Sequence, residues 1–194
     1  MGMPAAGTIY YTADQVRALN EANPKHSPRY ECVYGELLVS PAPRNMHQLV
    51  VSRLLVWLTN YVERVTLEAR VYISPADISW GRDDVTVQPD VFVVPREMAR
   101  ASWRENSWTL IRHLLLAIEV LSPSTRHADR FTKRHLYQRQ GVPLYWIVDP
   151  ESQTAEVWTP EAHFPTIERE RLVWHPEGAA EPFVCPLAEL FAEP

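Results

Sequence analysis

The sequence predicts an α/β or α+β fold built around a mixed sheet. Three observations carry this. Leu114-Leu115-Leu116-Ala117-Ile118 is an unbroken apolar run, the pattern of a central strand covered on both faces. A helical pattern over residues 125–140 and a second apolar run over 144–148 follow it. That is the length of a right-handed crossover between parallel strands. Short strand-like runs separated by Gly and Pro flank this unit, so hairpins add antiparallel strands.

In chain order, residues 1–9 read as a loose leader. Thr12-Ala13-Asp14-Gln15 is a capping box for a short helix to about Glu21. A loop at 23–28 precedes a hairpin, 29–33 and 36–39, turning at Tyr34-Gly35. Leu49, Val50, Leu54, Trp57, Leu58 and Tyr61 share helical spacing and predict a long helix over 45–65. Strands are expected at 69–73 and 76–80, then at 90–94 after Pro89. The polar stretch 95–108 reads as a loop with one helical turn. The central strand spans about 113–121, and Ser124 or Thr125 caps the helix that follows. Gly141-Val142-Pro143 stops that helix before the strand at 144–148. Residues 155–159, 169–174 and 183–185 are further strand candidates.

At 194 residues the chain has the size of one domain with a substantial core, and no internal repeat or linker divides it. No apolar run approaches the length of a membrane span, and the start lacks the pattern of a signal peptide. The expectation is a cytoplasmic protein without a membrane partner. Cys32 and Cys185 lack metal-type spacing and read as buried thiols. A formal net charge of −5 excludes a broadly basic nucleic-acid binder, though not an enzyme with local basic residues.

Chemistry is suggested where carboxylates interrupt core strands. Glu119 falls inside the central apolar run, and Asp90 opens a second apolar run. A buried carboxylate is costly unless a cation meets it. Hard cations such as Mg²⁺ take carboxylate oxygens and keep several waters. The bland alternative is a strand-end acid bonded to backbone amides or to an arginine. The helix at 125–140 carries Arg126, Arg130, Lys133, Arg134 and Arg139 against Asp129. Arg126, Asp129, Lys133 and Tyr137 share one face, so Lys133 can reach back toward the strand end. Alternatively Asp129 and Lys133 are only an exposed i,i+4 pair. Arg126, Arg130 and Arg134 are candidate polyanion contacts. Glu36, His47 and Asp77 are additional candidates whose bland readings are a turn acid, a capping histidine and a structural acid.

Several of these residues recur in a fixed order. They are Tyr30-Glu31, Gly35-Glu36-Leu37, Ser40-Pro41, Pro43, His47, Gln88-Pro89-Asp90-Val91, the run from Ile118 to Thr125, Asp129, Lys133, Tyr137, and Tyr145-Trp146-Ile147-Val148-Asp149-Pro150. The ordered set, covering about residues 30–159, closely resembles the bacterial Uma-two family of endonucleases, a branch of the PD-(D/E)XK superfamily. The resemblance implies a restriction-endonuclease-like mixed sheet flanked by helices, with an N-terminal hairpin and helix. It also implies hydrolysis of DNA phosphodiester bonds assisted by Mg²⁺ or Mn²⁺. Asp90 and Glu119 match the metal-binding acids, with the Val120 carbonyl as a further ligand. Glu36 matches an acid of the N-terminal motif. Leu121 stands where such enzymes usually carry lysine, and Lys133 matches the helix lysine of similar branches. A homodimer is a candidate assembly. The rival from another class is a non-catalytic nucleic-acid-binding or assembly module that keeps the fold. If Asp90 and Glu119 repel one another, Asp90→Asn is expected to melt at equal or higher temperature without metal.

Overall fold

A computed structural model describes residues 9–23 and 27–194. The expected leader, apart from Ile9, and the middle of the 23–28 loop lie outside the described residues. The predicted capping box forms: Thr12 N donates to Gln15 Oε1 (2.9 Å) and Gln15 N to Thr12 Oγ1 (3.2 Å). It starts α1, Ala13–Glu21. Asn20 then ties α1 to the first strand, donating to Tyr30 O and accepting from Tyr30 N, both at 2.9 Å.

Strands β1 (Arg29–Val33) and β2 (Glu36–Ser40) form the expected hairpin, with Val33 opposite Glu36. Tyr34 and Gly35 have φ of 52° and 81°, the double left-handed turn that matches strand twist. A Cβ at Gly35 would also stand 2.2 Å from the Tyr10 ring. Gly35→Ala is therefore expected to cost about 1–3 kcal/mol, from backbone strain and displacement of Tyr10. Urea denaturation measures it; an unchanged midpoint would contradict the turn's role.

The long helix α2 is Asn45–Arg64. A six-stranded sheet follows, in the order β3-β5-β6-β7-β8-β9. Its strands are β3 (Ala69–Ile73), β5 (Val91–Pro95), β6 (Leu116–Val120), β7 (Tyr145–Asp149), β8 (Thr154–Trp158) and β9 (Thr166–Glu168). β5 and β6 are antiparallel and β6 and β7 parallel, so the sheet is mixed and the crossover forms as predicted. A short strand, β4 (Val85–Thr86), joins the hairpin instead.

Side-chain alternation divides the core in two. Val91, Val93, Leu116, Ile118, Val120, Trp146 and Val148 face α2 and the C-terminal hairpin, β10 (Arg171–Trp174) and β11 (Phe183–Pro186). Phe92, Val94, Ala117, Leu121, Tyr145 and Ile147 face the other way, toward the N-terminal hairpin and the crossover helix. Asp90 and Glu119 continue this second parity. They therefore lie on one side of the sheet.

Three expectations need correction. The segment at 76–80 is not a strand: only Ile78 pairs, with Val87, because Pro75 precedes it and the left-handed Trp80 and Gly81 end it. The polar stretch 95–108 contains a helix, α3 (Arg96–Glu105), stopped by Asn106 at φ 48°. Its buried face is only Ala99 and Ser102, too small to print a hydrophobic period. The strand expected at 169–174 forms as β10, and β9, which was not anticipated, precedes it at the sheet edge with little burial. The crossover helix is not uniform: a π-helical turn, Ala128–Lys133, precedes α4, Arg134–Arg139. A last short helix, α5 (Leu187–Leu190), was not anticipated.

Candidate active site

Asp90 stands directly before β5, and Glu119 is the fourth residue of β6. These strands are neighbours, with Val91 opposite Ile118. The Val120 amide crosses between them and donates to Asp90 Oδ2 at 2.9 Å. Both carboxylates line a cavity of about 290 Å³, together with His47, Val120, Asp129 and Lys133.

Lys133 is 2% exposed, and its ammonium faces Glu31 Oε2 at 2.9 Å, Glu119 Oε1 at 3.0 Å and Asp129 Oδ1 at 3.4 Å. Asp129 and Lys133 are thus not an exposed pair. The π-helical turn carries both, and such turns are frequent at functional sites because they re-aim side chains. One helical turn further, the Tyr137 hydroxyl donates to Glu119 Oε1 at 3.0 Å. His47, in the first turn of α2, approaches from the opposite layer, with Nε2 3.1 Å from Asp90 Oδ2.

Glu31 is the acid the sequence reading passed over. It is fully buried on β1, accepts from Gln88 N at 2.6 Å, and so fixes the segment that leads into Asp90. Arg29, two residues back, places its guanidinium 3.6 Å from Asp90 Oδ1 and 3.8 Å from Glu31 Oε2. Glu36 is exposed at the mouth of the hairpin and does not line the cavity. It shares a face with Glu31, since Val33 pairs with Glu36 and Glu31 with Leu38, but sits at the turn end. The usable signal was a charge inside the otherwise apolar Tyr30, Cys32, Val33 strand.

Asp77 is also outside the cavity, accepting from Gln88 Nε2 at 2.7 Å. The helix arginines turn toward acids at the β7–β8 turn. Arg126 pairs with Glu151 and lies 3.6 Å from Asp149; Arg130 reaches Glu156 (2.5 Å) and Asp149 (3.5 Å). Arg134 lies over the Trp158 ring, 4.5 Å from its centroid.

Four buried carboxylates (Glu31, Asp90, Glu119 and Asp129) therefore surround two permanent cations, Arg29 and Lys133. The surplus is negative, and it is not evenly felt. Burial raises Asp90, but the His47 hydrogen bond and Arg29 outweigh it and hold the carboxyl at about 2. Burial drives Glu119 well above the ordinary range; Lys133 opposes this, and Asp129 and Asp90 add to it. Burial likewise lifts Asp129 to about 6 against the pull of Lys133. For Lys133, burial pulls downward, but Glu119, Glu31 and Asp129 win and raise it, so it stays charged. The acid repulsion expected at Asp90 thus falls on Glu119 and Asp129. This reverses the expected sign of Asp90→Asn: removing a stabilised carboxylate should lower apo stability.

A carboxyl with a raised folded pKa penalises the fold above that pKa. For Asp129 the penalty is complete above about 6 and absent below about 4. Wild type should therefore gain stability relative to Asp129→Asn as pH falls through that window. Thermal melts at pH 4.5 and 8 test this, and a pH-independent difference would contradict it.

The donor set fits a hard divalent cation. Both hydrogen bonds to Glu119 use Oε1, and those from His47 and Val120 to Asp90 use Oδ2. Each acid thus keeps its second oxygen outside these bonds. Among the described residues no group of three or more His, Cys, Asp or Glu is assembled as a metal cage. Carboxylate oxygens are hard donors, of the kind Mg²⁺ takes, unlike the Cys and His ligands typical of zinc.

Comparison with known proteins bears on the fold and the family. No curated protein matches the chain. A crystal structure from Anabaena variabilis ATCC 29413, described as a putative nuclease belonging to DUF820, shares the fold with a TM-score of 0.65. It is 24% identical, and the match covers 84% of this chain and 90% of that one. Among the described residues no helix is long and apolar enough to cross a membrane. Residues 14–181 match the Uma2 family, described as "Putative restriction endonuclease", and the chain belongs to that family.

Proposed function

We propose that this protein is a metal-dependent endonuclease that hydrolyses DNA phosphodiester bonds. The observation that supports it best is the convergence of Asp90, Glu119 and Lys133 in one cavity, on one side of the sheet. Asp90, Glu119 and the Val120 carbonyl would hold Mg²⁺ or Mn²⁺. Such an ion supplies Lewis acidity toward the phosphate and lowers the pKa of a water at the site. The protein's own groups prepare for this. His47 and the Val120 amide fix the Asp90 carboxylate, and Tyr137 fixes the Glu119 rotamer. Lys133 holds a desolvated positive charge beside Glu119, where it stabilises charge developing on the phosphate oxygens. The negative surplus of the cavity favours entry of a divalent cation and disfavours a bare phosphate, so metal binding precedes substrate binding in this reading.

The test is cleavage of plasmid, single-stranded and branched DNA with Mn²⁺ or Mg²⁺, with Asp90→Ala as control. Cleavage that survives Asp90→Ala would assign the activity elsewhere. A second reading, a non-catalytic nucleic-acid-binding module, draws on one observation: Lys133 is already enclosed by three carboxylates. Binding without cleavage under any divalent metal would favour it.

A further inference from the structure

A second notch lies where α3 crosses the edge strand β3, with a volume of about 300 Å³. Its walls carry four arginines, Arg70, Arg96, Arg100 and Arg104, together with Tyr72 and Trp103, and no acid. In a chain of net charge −5 this local excess is unusual. Two of the arginines have acidic neighbours at the rim: Arg70 lies 4.0 Å from Glu63 and Arg96 3.3 Å from Glu68. The other two project from α3 one turn apart. Trp103 is 84% exposed between them. A tryptophan held in water leaves a large apolar ring unburied, so its exposure beside cations invites a ligand with a flat face and negative charge. Tyr72 beneath is fixed by edge contacts with Trp108 (centroids 5.0 Å apart) and by Phe92 (5.7 Å), so the floor is rigid.

The notch and the acid cavity share one strand. Tyr72 and Arg70 lie on the parity of Phe92, the side of the sheet that also presents Asp90 and Glu119. The end of β3 runs directly into the cavity wall, which includes Ile73, Ser74 and Pro75. Arg70 to Ser74 is four residues, roughly 14 Å of extended chain.

We propose that this notch is an anchoring subsite for a single-stranded polynucleotide, roughly 14 Å along β3 from the acid cavity. Trp103 stacks on an unpaired base, and Arg100 and Arg104 hold the flanking phosphates, with Arg70 and Arg96 as the basic wall. A base with an exposed π-face meets this chemistry, whereas a duplex, whose bases are stacked internally, offers Trp103 no face. The proposal rests on the nucleic-acid reading of the acid cavity and names which form of substrate it prefers. It predicts that single-stranded or flapped DNA binds more tightly than blunt duplex.

The experiment measures anisotropy of a labelled 20-nucleotide single strand, a flapped duplex and a blunt duplex in metal-free buffer. Wild type, Trp103→Ala, Trp103→Phe and Arg100→Ala/Arg104→Ala are compared. Loss of one stacked base should weaken single-strand binding about 5- to 100-fold in Trp103→Ala, with Trp103→Phe retaining most of the affinity. The double arginine variant should lower the slope of log affinity against log salt by about 1.4. Hydrolysis of bis(p-nitrophenyl) phosphate with Mn²⁺, an ester too small to reach the notch, is measured in parallel and should be unchanged in the notch variants. If wild type cleaves the small ester but the notch variants bind single strands as it does, the subsite is overturned while the catalytic reading stands. If the small ester is not cleaved but single-strand binding depends on Trp103, the subsite stands and the catalytic reading fails. If wild type binds no oligonucleotide, or if Trp103→Ala instead abolishes self-association in sedimentation at unchanged DNA affinity, the notch is not a nucleic-acid site.

Discussion

Lys133→Met is expected to destabilise the metal-free fold by about 3–5 kcal/mol and to reduce cleavage by at least about a hundredfold. Methionine fills the space of the lysine stem, so packing changes little. What disappears is the cation that faces Glu31, Glu119 and Asp129 at 2.9, 3.0 and 3.4 Å. Three buried carboxylates would then share a site without their nearest positive charge. An exposed i,i+4 pair would have contributed under about 1 kcal/mol; burial accounts for the difference. Urea denaturation should show a lower midpoint at unchanged slope. Adding Glu119→Gln to Lys133→Met should restore part of the lost stability, because the two residues interact directly. The double variant should remain inactive. A single Lys133→Met variant as stable as wild type would show that the carboxylates take up protons at no cost, and that the ammonium does not hold the cluster together.

Asp90→Asn and Glu119→Gln should move apo stability in opposite directions while abolishing the same metal response. Asp90 is held ionised by His47 and Arg29, so its amide should lose about 1–3 kcal/mol in charge-assisted bonds. Glu119 is penalised by burial and by its acidic neighbours, so Glu119→Gln should be at least as stable as wild type without metal. Wild type should gain melting temperature on titration with Mg²⁺ or Mn²⁺, because a ligand of the native state stabilises it by mass action. Neither variant should show that gain, and each should cleave at least about a hundredfold more slowly. Scanning fluorimetry with and without metal separates the two effects. If both variants keep the wild-type metal response, the ion binds elsewhere and the assignment of Asp90 and Glu119 fails.

The sequence alone determined the elements whose signal is local. The Thr12-to-Gln15 capping box, the Tyr34-Gly35 turn, α2 and the β6–helix–β7 crossover each declare themselves through a cap, a turn dipeptide or an apolar period. The same local logic flagged Asp90, Glu119 and Lys133, because charges interrupt apolar strands or face back along a helix. The tertiary structure decided which charges meet. Glu31 and Glu36 share one face of one hairpin, and only the docking of β1 against the Gln88 segment buries the first and leaves the second in water. α3 escaped the sequence reading because it buries only Ala99 and Ser102, so no hydrophobic period marked it. The fate of the helix arginines was equally hidden, since their acidic partners Asp149, Glu151 and Glu156 arrive on another element. Periodicity is a property of neighbours along the chain, whereas the pairing of buried charges depends on elements brought together across it.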